Sequence, residues 1–60
     1  MATIYERFEM RGVHYVEIHF KATPFAGDLT VHCFKDGVEI SGAAYQEAKS
    51  EYRKLWMAAR

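Results

Sequence analysis

The chain has 60 residues, half of them hydrophobic, with eight basic and eight acidic side chains and a formal net charge of zero. A chain this short holds one domain, spanning residues 1–60, and hides only about 60% of its unfolded surface on folding. With no charge excess of either sign, it lacks the basic footprint of a phosphate-neutralising nucleic-acid binder and the acidic one of a nucleic-acid mimic.

Ile4, Phe8 and Met10 alternate with Tyr5, Arg7 and Glu9, which predicts a first strand over residues 3–10. Arg11-Gly12 supplies a turn, and a second strand, rich in β-branched and aromatic residues, runs over residues 13–21. Its even positions, Val16, Ile18 and Phe20, form an apolar face expected to meet the core, with Tyr15, Glu17 and His19 pointing away. Pro24 and Gly27-Asp28 break the pattern and mark a connection. Residues 29–35 form a third strand, with Leu29, Val31 and Cys33 alternating against Thr30, His32 and Phe34. Asp36-Gly37 is the strongest short-range hairpin signal in the chain, and Val38-Glu39-Ile40 returns as a short fourth strand. Ser41 is placed to cap a helix that runs from Gly42 to near the end. Tyr45, Ala48, Tyr52, Leu55 and Ala59 form its apolar stripe, with Trp56 closing the core edge and Met57 exposed on the polar side. The fold class is α+β: an antiparallel sheet of three strands plus a short fourth, followed by one C-terminal helix packed on one face, ββββα.

Small domains are commonly held by disulfides, a metal or a partner subunit. A lone Cys33 rules out an intrachain disulfide, and no pair of Cys or His sits at close zinc-ligand spacing. A well-packed monomer or an oligomer remains. The opening residues carry Glu6 and Arg7 where a signal peptide needs an apolar run, and no stretch approaches the roughly 20 apolar residues that span a bilayer. A cytoplasmic, reducing location is expected, with no membrane partner.

One helix covers one face of a sheet, and the other is left to water or to a partner. With Phe20 opposite Leu29, and a three-residue first turn, the uncovered face carries Tyr5, Arg7, Tyr15, Glu17, His19, His32 and Phe34. Tyr, Phe and Arg are enriched at interfaces, although wet antiparallel faces also carry Tyr, Thr and His for β propensity alone. Glu6 is the exception on the apolar side, and suits a sheet edge where an inward charge discourages further pairing.

No nucleophile elbow, phosphate loop or metalloprotease helix occurs in the chain. Cys33 among strand apolars reads as a small core hydrophobe and not a catalytic thiol. Glu17, His19 and His32 form a familiar metal-ligand set, but on open strands without an enclosing shell they read as surface side chains. No cofactor and no catalytic residue is assigned.

The expected function is a small non-enzymatic protein–protein interaction module, a homodimer or an accessory or regulatory subunit that binds or occludes a partner. Its partner-binding residues are Tyr5, Arg7, Tyr15, His19, His32 and Phe34. The alternative is a nucleic-acid binder that stacks bases on the same face.

Overall fold

Two tight turns set the frame. Arg11 and Gly12 take φ of 53° and 78°, and Asp36 and Gly37 take 49° and 81°. Consecutive positive φ values define the hairpin turn whose twist matches the flanking strands. Glycine enters this region without steric cost, and aspartate tolerates it. The computed structural model describes residues 1–23, 25, 27 and 29–59; Pro24 and Asp28, assigned above to the connection, lie outside the described residues.

The first turn joins β1 (Ala2–Met10) to β2 (Val13–Phe20), and the second joins β3 (Thr30–Lys35) to β4 (Val38–Ile40). The strands form one antiparallel sheet in the order β1-β2-β3-β4. A 17-residue helix, α1 (Gly42–Ala58), follows after Ser41, whose hydroxyl accepts from the Ala44 amide at 3.1 Å. The ββββα order is the one the hydrophobic periods predict. Its fourth strand, three residues long, is a full member of the sheet.

The register differs from the expected one. A two-residue turn at Arg11–Gly12 makes Met10 and Val13 a facing pair and carries Phe8 opposite Tyr15 and Arg7 opposite Val16. The even residues of β1 therefore share a face with the odd residues of β2. Between β2 and β3 the pairing is shifted by one residue, so that Phe20 faces Thr30, Glu17 faces Cys33 and Val16 faces Phe34. Asp36 fixes this shift at the far end: its carboxylate accepts from the His14 amide at 2.9 Å, and its own amide donates to the His14 carbonyl at 2.8 Å. A β-bulge at Tyr5 then changes the parity of β1, bringing Ile4 opposite Ile18.

The helix consequently covers the face that carries Tyr15 and Glu17, and Val16, Ile18 and Phe20 lie on the other side. Under the helix, Met10, Tyr15 and Cys33 are buried with Tyr45, the one fully enclosed large side chain among the described residues. Phe8 is the aromatic centre: its ring stacks on Tyr15 and on Tyr52, each with centroids 4.8 Å apart, and tilts against Tyr45 at 5.7 Å. Such pairs contribute about 0.5–1.5 kcal/mol each beyond the area they bury. The far end of the helix runs past this cluster. Leu55 and Trp56 are exposed, which corrects the expectation that Trp56 closes the core edge, and Met57 is exposed as its polar-side position predicts.

Glu6, the misfit of the apolar stripe, has a structural role at the edge strand. Its Oε1 accepts from the Tyr45 hydroxyl at 3.1 Å and pairs with Lys49 Nζ at 2.6 Å, which ties β1 to α1. The Lys49 hydrogen bond holds the Glu6 carboxyl below its ordinary range; burial opposes this and the Tyr45 hydroxyl reinforces it. Burial, with the neighbouring Glu6 carboxylate, pushes the Tyr45 phenol well above its ordinary value.

Outcomes are expected at two side chains, Asp36 and Glu6. Asp36→Ala loses the acceptor for the His14 amide and forces alanine into positive φ, so urea unfolding followed by far-UV dichroism should show a loss of about 2–3 kcal/mol. Asp36→Asn, which keeps an acceptor and tolerates the conformation, should cost less than about 1 kcal/mol. For Glu6, a depressed folded value means that its contribution is present above the unfolded value of 4.5 and is lost as pH falls through the folded one. The urea midpoint of the wild type should therefore drop on acidification below that value, and Glu6→Gln should flatten the drop.

Candidate interaction surface

The face opposite the helix is built in cross-strand rows. Arg7, Val16, Phe34 and Glu39 form one row across all four strands. Ile4, Ile18 and His32 form the next, and Ala2, Phe20 and Thr30 the one beyond. Ile4, Val16, Ile18, Phe20 and Phe34 thus make a continuous apolar patch. No element of the described chain lies over it. Val16, Ile18 and Phe34 are half-buried by their strand neighbours alone, and Ile4 and Phe20 are exposed.

Polar side chains frame the patch. His32 Nδ1 donates to Glu39 Oε2 at 2.8 Å, and His14 Nε2 lies 3.6 Å from Glu9 Oε2. The Arg7 side chain is exposed and, among the described residues, has neither an ion pair nor a hydrogen bond. It is the one lysine or arginine that the described strand registers place on this face.

The six residues assigned from sequence to one binding face are split between the two. Arg7, His32 and Phe34 lie on the open face as expected. Tyr15 is 7% exposed beneath the helix, so it is a core residue and cannot touch a partner in this fold. Tyr5 and His19 lie on the helix side, beyond the end of the helix, with their rings stacked at 4.2 Å. The one-residue shift reverses the face of Tyr15 and His19, as of every β2 side chain, relative to the expected register, and the bulge in β1 places Tyr5 beside His19. The same parity reveals the residues that sequence reasoning assigned to the core, Val16, Ile18 and Phe20. The two-residue turns relate β1 to β2 and β3 to β4, but the parity between β2 and β3 rests on the hydrogen bonds between Asp36 and His14, which no local signal gives.

The helix side offers little chemistry beyond packing. Glu17 is buried and contacts His19, while His32 is on the opposite face with Glu39, so the Glu17–His19–His32 ligand set does not converge. No three His, Cys, Asp or Glu side chains among the described residues are grouped to hold a metal ion. Burial pushes the Cys33 thiol above its ordinary range, and the Glu17 and Glu39 carboxylates add to it. This is the environment of an inert thiol, because the thiolate is the reactive form. No helix among the described residues is long and apolar enough to cross a membrane.

Compared with protein-family models, with characterised proteins and with solved structures, the chain matches none.

The surroundings of Cys33 predict its reactivity. Native protein should react with an aromatic disulfide reagent at least about tenfold more slowly than protein in concentrated urea, read as absorbance of the released thiolate.

Proposed function

We propose that the protein is a small non-enzymatic interaction module whose working surface is the open sheet face, centred on Ile18 and Phe34. The observation that carries this reading is the uncovered apolar patch of Ile4, Val16, Ile18, Phe20 and Phe34 with a polar rim. Exposed apolar patches rimmed by polar side chains mark interaction sites. The chain's accessible area points the same way. It exposes 4680 Å², about 600 Å² more than the roughly 4,000 Å² expected of a compact monomer of this mass. Covering the face would also add stability to a chain whose core is a handful of side chains.

A protein partner fits this face better than a nucleic acid. Single-strand binders combine stacking aromatics with a positive groove. Here, among the described strand residues, the aromatics are Phe20 and Phe34, the sole fixed cation is Arg7, and Glu9 and Glu39 lie on the same face. The accessory role in a reducing, cytoplasmic setting belongs to the same proposal and suits a buried free thiol.

The test compares capture by the wild type with capture by Ile18→Asp and Phe34→Asp, each checked for fold by far-UV dichroism. Proteins held by the wild type should be lost from both variants, which weaken binding by about a hundredfold or more if these are central anchors. Retention of the same proteins at the same strength would overturn the reading. Tyr15→Ala should act differently, lowering stability by about 3 kcal/mol or more as a core truncation.

A further inference from the structure

Resting on the reading that the open face is the working surface, we propose that its occupant is a second copy of this chain. The two copies dock face to face about a two-fold axis that runs along the strands between β2 and β3, with Arg7 of each protomer on Glu39 of the other.

The row Arg7–Val16–Phe34–Glu39 is the basis. It carries a cation at one edge, an anion at the other and two apolar side chains between, so it is complementary to its own reverse. A two-fold axis through its midpoint, parallel to the strands, lays Val16 over the partner's Phe34 and Arg7 over the partner's Glu39, twice per dimer. An axis running across the strands instead sets Arg7 over Arg7 and Glu39 over Glu39, and like charges facing each other oppose that packing.

The dimensions fit. Stacked sheets lie about 10 Å apart, a gap that an arginine and a glutamate side chain reaching from opposite sides can close. The charge-bearing strands are three spacings apart, about 14 Å, so the pairs sit at the rim and the apolar residues fill the centre. With strands of nine, eight, six and three residues, at about 3.3 Å per residue and about 4.8 Å per strand, the face spans about 400 Å², so two faces together cover on the order of 800 Å², the size of a small interface. The side chains are also prepared. Arg7 has no partner among the described residues, and His32 holds Glu39 through Oε2, leaving Oε1 of an exposed carboxylate for the incoming guanidinium.

Sedimentation equilibrium and native mass spectrometry test the arrangement. The wild type should have twice the 7.0 kDa chain mass. Arg7→Glu and Glu39→Arg should each weaken dimerisation on the order of tenfold, since each reverses two rim pairs. An equimolar mixture of these two variants should form a heterodimer of wild-type strength, because every pair between them is again opposite in sign. The double variant R7E/E39R should likewise recover the homodimer. Recovery in the mixture shows that the single variants are folded.

A monomeric wild type would overturn the second copy as occupant, while leaving the open face to the capture comparison above. A dimer indifferent to both charge reversals, or one that mixing does not restore, would overturn this arrangement. A dimer that survives Phe34→Asp undiminished would overturn this arrangement and again leave the open face to the capture comparison.

Discussion

Side chains of a β-strand alternate between two faces, so the length of a hairpin turn decides which residues of neighbouring strands can share a core. In this chain the decisive turn is Arg11–Gly12. With two residues in it, Met10 faces Val13 and Phe8 faces Tyr15. The pair of hydrogen bonds between His14 and Asp36 carries the same constraint to the other side of β2. From these two points follow the covered face, the position of the helix and the composition of the surface left open.

The constraint selects between two plausible cores. One is wholly apolar, built on Val16, Ile18 and Phe20. The other is aromatic and partly polar, built on Phe8, Tyr15, Tyr45 and Tyr52 with Glu6 and Glu17 among them. The helix packs on the second because Ile40 shares the Cys33 side of the sheet and the one-residue link at Ser41 carries the chain over that side. Burying carboxylates there is costly unless each finds partners. Glu6 has Tyr45 and Lys49, and Glu17 has His19. The Glu6 contacts thus tie the sheet to the helix, with Arg11 to Glu51 at 2.6 Å adding one more at the hairpin tip.

This choice of core leaves the other apolar surface without cover. A sheet with both faces apolar is a two-layer structure awaiting a third layer. The proposed face-to-face pairing provides it as a second sheet, giving an arrangement of helix, sheet, sheet and helix. The chain alone is elongated, with extents of 42 × 22 × 16 Å, and its radius of gyration of 13.2 Å exceeds the roughly 10 Å of a compact chain this long.

Local signals in the sequence determined the elements: period-two alternation gave the strands, Asp36-Gly37 the second hairpin, and Ser41 with the Tyr45–Ala48–Tyr52 spacing the helix. They are legible because propensity, turn chemistry and capping act over a few residues. Which face of the sheet the helix covers was decided by the tertiary structure. Both faces of β2 carry apolar or aromatic side chains, so its own alternation is ambiguous, and the β2–β3 register is pinned by a contact between His14 and Asp36, 22 residues apart. A single residue of slip exchanges Tyr15 for Val16 and Glu17 for Ile18. That is why Arg7, His32 and Phe34 could be placed on the open face from sequence while Tyr15 could not.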